Sequence, residues 1–346
     1  MDLSGNGRRA QRVTIRDVAR DAGVSVAAVS KVLREAYGVS DALRAKVRDS
    51  MERLGYRPLA AARGMRGQTY TLGVTLSDIR NPFFTDLMAG INAALERTQY
   101  QPLVGISHST SAIEAGLIES MMDRQMDGLI LVAPHLTGAP LADLARRIPI
   151  VVVGQHQPNA TEFDTVNNDD ELGAELVVRH LAEQSFARIA MLSLAFDRAG
   201  SVEATVNGRR ETGYRRAMAG LGLKQHINVV RAAQTLREIQ TTARHMLEGP
   251  NRPEALFCWT DFVALEVISV ATELGLSIPD DLAVVGYDNT FLCDLAQNDL
   301  TSVDQSGETL GLQCARLLIE RIKGRGEAQH FMVKPRVVVR ASSQKR

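Results

Sequence analysis

Cysteine is scarce in this 346-residue chain. The three present, Cys258, Cys293 and Cys314, are odd in number and far apart. That pattern excludes a disulfide framework and a thiolate metal cluster, and fits small buried hydrophobes in a reducing compartment. Long apolar runs are missing too: none reaches 18 residues, so no segment reads as a membrane-spanning helix. The N-terminal MDLSGNGRRAQR lacks the apolar stretch of a secretory leader, so the expected location is cytoplasmic. Catalytic motifs are equally absent. There is no G-x-S-x-G elbow, no P-loop, no dinucleotide fingerprint behind a strand and no metal-ligand spacing. No Asp/His pair has a spacing that assigns acid and base roles. The expectation is a non-enzyme with no catalytic residues, no cofactor and no metal.

Net charge is zero, with 40 basic and 40 acidic residues, but the cancellation is not local. Residues 1–66 hold 14 Lys/Arg against 7 Asp/Glu, so the head carries +7 and the remainder −7. A basic head on an acidic body points to an anionic polymer as partner for the head alone. The length exceeds one compact core and implies two or three domains.

In the head, Thr14-Ile15-Arg16-Asp17 reads as a capping box, with Asp17 reaching back to Thr14. Ile15, Val18, Ala19 and Ala22 form the apolar face of the helix that follows. Gly23 supplies a tight turn, and Ser25 caps a second helix with Val29, Val32 and Leu33 inward. Ser40 caps a third, whose stripe is Leu43, Val47, Met51 and Leu54, closed by Gly55. Three short helices with a glycine turn between the first two predict an all-α helix-turn-helix head. The next segment, 56-YRPLAAARGM-65, is too short to hold a helix alone. It reads as a plain linker or as a hinge that becomes helical on DNA.

The body changes rhythm. TLGVTL (71–76), QPLVGI, DGLILVA (127–133) and IPIVVVG (148–154) are apolar strands alternating with helices. One helix runs from about Pro82; another is opened by a Ser111-Ala112-Ile113-Glu114 capping box. After residue 165 the alternation restarts. It has helices over Asp169–Gln184, Arg210–Ala219 and Asp261–Leu274, one opened by Thr235, and strands RIAMLSL, ALFCW and LAVVGY, with a weak one near Val229. Continuous apolar strands between amphipathic helices predict an α/β body of two parallel-sheet lobes.

Ligands bind such sheets beyond the carboxyl ends of the strands. The residues placed there are Asp78, Asn81, Phe83 and Phe84, then Ser107-His108, Gln155-His156, Thr260-Asp261 and Asp288-Asn289, with Arg210 opening a helix of the second lobe. Any one of them suits a cap or surface role. Together they describe a cleft for a small polar or polyhydroxylated ligand, with an aromatic plate.

These residues resemble the LacI/GalR transcription regulators over 13 to about 340. The head run TIRDVARDAGVSVAAVSKVL…MERLGYRPLAAARGM carries the resemblance. So do LGVTLSDIRNPFF, DGLILVAP, VNNDDELGA, RRETGY, VVGYDNT and LTSVDQ, in that order. The resemblance implies a periplasmic-binding-protein-like body and a homodimer on a near-palindromic double-stranded operator. It also implies a small-molecule effector, preferably a carbohydrate, between the lobes. By position, Val26, Ala27, Lys31 and Arg34 fall where the family reads bases, with Ala28 beside them. Thr14, Ser25, Ser30 and Arg63 fall at backbone or groove-edge contacts, and Met65 at the minor-groove wedge. Asp78, Phe83, Asp169, Arg210, Asp261 and Asp288 fall on effector contacts.

The implied organisation is a flexible basic arm (1–12), a helix-turn-helix domain (13–57) and a hinge (58–68). A first lobe spans 69–168 and 303–332, and a second spans 169–302 and 333–346. Three positions depart from the family: Met65 replaces a usual Leu, Leu59 stands where Asn is common, and Thr260 stands where Asn is frequent. Small side chains on the reading helix let it sit deep in the major groove, against thymine methyls, while Lys31 or Arg34 reaches guanine or phosphate. The expected mechanism is repression, with effector changing the lobe angle and so the hinge. The rival readings are a sugar-binding or transport component, an enzyme acting on a sugar, and a regulator with a purine-like effector.

Overall fold

The computed structural model describes residues 13–34, 36–56, 68–195, 205–233 and 235–345. The chain divides into a head (Met1–Thr69) and a body (Tyr70–Arg346).

The head contains α1 (Ile15–Asp21), α2 (Val26–Leu33) and α3 (Asp41–Leu54). Asp17 accepts both the Thr14 backbone N–H, at 2.9 Å, and its hydroxyl, at 2.6 Å, which fixes the start of α1. Gly23 sits at φ +60° in the turn, a conformation that costs other residues about 1 kcal/mol. Ser25 Oγ then accepts the Ala28 N–H at 3.1 Å and starts α2. Val18, Ala19, Ala22, Val29, Val32 and Val47 make the core. Each fully buried Val contributes about 1.5 kcal/mol or more.

The body holds two six-stranded sheets. The first comprises β1 (Thr71–Leu76), β2 (Gln101–Ile106), β3 (Gly128–Val132), β4 (Ile150–Val153), β5 (Asp164–Asn168) and β11 (His330–Val333), in the order β11-β5-β4-β3-β1-β2, all parallel. The second comprises β6 (Ile189–Leu194), β7 (Asn228–Ala232), β8 (Ala255–Cys258), β9 (Ala283–Asp288), β10 (Thr301–Asp304) and β12 (Arg336–Val338), in the order β12-β10-β9-β8-β6-β7. Only its β10–β12 pairing is antiparallel, a departure from the expected all-parallel sheet. The strands that enter the cores are buried on both faces, which is why they read as unbroken apolar runs.

Helices α4 (Phe83–Leu95), α5 (Ser111–Asp123), α6 (Gly138–Ala145) and α11 (Gly307–Ile322) belong to the first lobe. Helices α7 (Asp170–Glu183), α8 (Val206–Gly220), α9 (Leu236–Glu248) and α10 (Asp261–Glu273) belong to the second. The close crossing of α4 and α11 depends on glycine. A Cβ on Gly90 would overlap the Glu308 carbonyl, and one on Gly311 the Leu87 carbonyl.

The chain passes between lobes three times: from β5 into α7, from β10 into α11, and between β11 and β12. Val303 and Asp304 pair within the second sheet and Val333 within the first, so these two passages fall after Asp304 and after Val333, not at 303 and 332. Two local expectations are corrected. Thr110, not Ser111, is the N-cap of α5, and the buried Glu114 carboxylate instead accepts the His135 and Leu136 N–H groups, each at 2.9 Å. Arg210 does not open its helix: Thr205 caps α8, its Oγ1 accepting the Gly208 N–H, which puts Arg210 in the second turn. Strand β5, sequence DTVNN, escaped the sequence reading because it is polar.

Candidate functional site

Two surfaces hold the candidate residues. On the head, Val29 and Val32 anchor α2 in the core, and the 3.6-residue period turns the rest of the helix outward. Val26, Ala27, Lys31, Arg34, Ser25 and Thr14 are exposed, while Ala28 and Ser30 are half-buried. Arg34 Nε donates to the Ser30 carbonyl at 3.1 Å, which lays its guanidinium back along α2. The exposed face therefore has small apolar groups at its start and cations at its end. Arg63 and Met65, with the hinge that holds them, lie outside the described residues.

The second surface is the rim between the lobes. At the end of β9, Asp288 takes the unusual φ of +114° and is buried. Its carboxyl accepts Asn81 Nδ2 from the first lobe at 2.7 Å and Gln305 Nε2 from the β10–α11 crossover at 2.5 Å. Asn81 is itself aimed by its Oδ1, which accepts the Phe83 N–H at 3.0 Å. Burial, reinforced by the nearby Asp261 charge, pushes the Asp288 carboxyl up to about 8, against the opposing pull of Arg210.

Arg210 is buried in the same rim. Its guanidinium lies 3.4 Å from the Tyr287 ring centroid and 4.5 Å from that of Trp259. Nε donates to Asp170 Oδ1 at 2.9 Å, and Nη1 to the Trp259 carbonyl at 2.7 Å. The other Asp170 oxygen faces His156 Nε2 at 2.8 Å, across from the first lobe. Burial alone would raise the Asp170 carboxyl, but Arg210 and His156 outweigh it and hold it below the usual range. The Tyr287 hydroxyl accepts Asn168 Nδ2 at 2.5 Å, which fixes the ring under Arg210.

Other expected residues are placed differently. Asp261, at the start of α10, is fully buried and accepts the Thr290 N–H at 2.7 Å and the Ser302 hydroxyl at 2.5 Å. Burial raises its carboxyl. Thr260 caps that helix by accepting the Val263 N–H. Asp169 caps α7, accepting the Leu172 N–H at 3.1 Å. Asp78 is held by Arg80 at 2.7 Å, and this pair outweighs burial to lower its carboxyl. Phe83 is buried in the first-lobe core with Phe84 edge-on against it, ring centroids 5.6 Å apart. The rings that meet the buried Arg210 are Trp259 and Tyr287. Asp170, His156, Gln305 and Tyr287 complete the rim. The position of His156 behind a strand was visible in the sequence; Asp170, Tyr287 and Gln305 lie within the landmarks VNNDDELGA, VVGYDNT and LTSVDQ but were not singled out as site residues.

Comparison with known proteins adds an independent line. The model of bacterial regulatory proteins of the lacI family matches residues 14–58, and that of the periplasmic binding protein-like domain matches residues 178–343. The chain is 34% identical over 309 residues to catabolite control protein A of Priestia megaterium, covering 88% of this chain and 91% of that one. It is 30% identical over 334 residues to the HTH-type transcriptional repressor PurR of Vibrio atlanticus (strain LGP32), covering 95% and 98%. Among solved structures, the transcriptional regulator CelR–cellobiose complex is similar at 26% identity and a TM-score of 0.69, covering 96% of this chain and 100% of that chain.

Proposed function

The chain belongs to the lacI family of bacterial regulatory proteins, and from that premise we propose that it is a repressor whose operator affinity is set by a carbohydrate held between its lobes. At the level the family fixes, it is a DNA-binding transcriptional regulator that answers to a small molecule, and not an enzyme. The finer reading is as follows. Two heads of a homodimer grip a near-palindromic operator. Val26, Ala27 and Ala28 face thymine methyls, and Lys31 or Arg34 reaches guanine or phosphate. Thr14, Ser25, Ser30 and Arg63 contact the backbone, and Met65 wedges the central step. The protein acts in the cytoplasm, on chromosomal DNA.

The effector occupies the rim of Asp78, Asn81, Phe84, Arg210, Thr260 and Asp288. Phe83, Asp169 and Asp261 shape that rim from behind. The observation that carries this reading is the convergence on Asp288 of amides from the first lobe and from a crossover, beside a guanidinium stacked on aromatic rings. Carboxyl acceptors, amide groups and ring faces match a hydroxyl-rich ring, and a ligand that binds both lobes shifts the angle between them. The cellobiose bound in the CelR structure supports the carbohydrate class.

The test is a thermal-shift screen of the full chain against mono- and disaccharides, polyols and purines, repeated on operator DNA selected from random duplexes. A stabilising sugar that changes operator affinity is the expected result. A purine hit replaces the ligand class and keeps the regulator.

A further inference from the structure

The strongest cation of the rim is already matched. Arg210 and Asp170 are both buried, 3% and 2% exposed, and form an ion pair at 2.9 Å. Asp170 is the first helical residue after the β5 crossover, so it is fixed at the joint of the two lobes, with His156 on its other oxygen. The positive ends of two helices that open on the rim are also matched. The start of α7 carries the Asp169 cap and Asp170; the start of α10 carries the Thr260 cap and Asp261. Nearby cations are engaged: Arg80 with Asp78, and Arg340 with Asp294 and Asn289. Asp261 and Asp288 add two further buried carboxyls.

Among the described residues the rim therefore offers hydrogen-bond acceptors and no cation in excess. A dianion entering it would be desolvated beside the Asp170 carboxylate, with its natural partner Arg210 neutralised. A neutral polyol brings the donors that the carboxyls accept.

We propose that Asp170 is a specificity-determining residue: by neutralising Arg210 it restricts the cleft to uncharged, hydroxyl-rich ligands and refuses the phosphorylated forms of the same sugars. The proposal rests on the carbohydrate reading above. Asp170 acts through Arg210, and its substitution exposes the cation that selects anions.

The experiment measures dissociation constants of the full chain for matched pairs, glucose with glucose 6-phosphate and ribose with ribose 5-phosphate, by calorimetry. The wild type is expected to bind the neutral member of a pair and to discriminate against its phosphate. Asp170→Asn should narrow that discrimination about tenfold or more, and Asp170→Glu should preserve it. If Asp170→Asn does not fold, Asp170→Ser, which also leaves the Arg210 guanidinium without its carboxylate, should give the same narrowing. Tighter binding of the phosphate by the wild type, or a ratio unmoved in the folded Asn or Ser variant, overturns the proposal while leaving a carbohydrate effector in place. Binding of no sugar of either kind overturns the carbohydrate reading and this proposal with it.

Discussion

Asn81 Nδ2 donates to Asp288 Oδ2 over 2.7 Å, joining residues 207 positions apart and tying one lobe to the other. Asn81 is oriented by the backbone of α4, and Asp288 ends the central strand β9, so the bond reports the closure of the cleft directly. Asn81→Ala leaves a buried carboxyl with one donor fewer. Unfolding in urea should show a loss of about 1–3 kcal/mol. The same variant should bind effector more weakly, because the closed arrangement of the lobes loses a tie. Wild-type stability in the variant would show that the bond is not maintained in solution.

The Asp288 carboxyl also makes stability depend on pH. Its folded value, about 8, lies above the 3.8 of an ordinary aspartate. The native state therefore keeps a proton that the unfolded chain has released, and the contribution is whole below about pH 4 and lost as pH rises toward 8. Asp288→Asn should flatten this part of the profile. Urea midpoints at pH 5 and pH 7.5 decide it: the wild type should lose more stability across the interval than the variant.

Gly173 lies where α7 passes the Tyr287 ring, and a Cβ there would overlap the Tyr287 hydroxyl. Gly173→Ala should push the ring away from Asn168 and unseat the guanidinium stacked on it. Overpacking of this kind costs about 1–3 kcal/mol. The readout is a lower melting temperature together with weakened effector binding. A change in melting temperature alone would detach Tyr287 from the site.

On the head, Lys31 is exposed near the end of α2 and makes no part of the core. Lys31→Ala should leave the fold intact by circular dichroism. If it meets phosphate, the slope of log operator affinity against log salt should fall by about 1. An unchanged slope with lost sequence preference would place Lys31 on a base edge instead.

The head was legible from its sequence because each signal in it is local. Ser25, Ser40 and Gly23 act on residues within a turn of themselves, and the apolar stripe needs only the helical period to find its face. The strands of the body were legible for a related reason: burial on both faces leaves runs such as LILV and IVVV with no polar interruption. Where the side chains went was less legible. Ser111-Ala112-Ile113-Glu114 has the spacing of a capping box, yet two backbone N–H groups behind β3 compete for the Glu114 carboxylate and win it, because burial there leaves them no water to bond. Phe83 has the position of a ligand-facing ring, yet the start of α4 turns it into the core.

By itself, then, the chain determined the helix-turn-helix head, the two parallel-sheet lobes, the basic bias of one end and the strand ends where polar residues gather. Tertiary structure alone decided which of those residues meet. Of two adjacent aspartates, Asp169 turns to its own helix as the N-cap, while Asp170, the first helical residue, reaches an Arg210 that the packing of α8 brings to it from 40 positions away. Gln305 reaches Asp288 because the β10–α11 crossover brings it there. Contacts of this kind join residues distant in sequence through backbone paths that no local period or motif encodes, and in this protein they assemble the rim between the lobes.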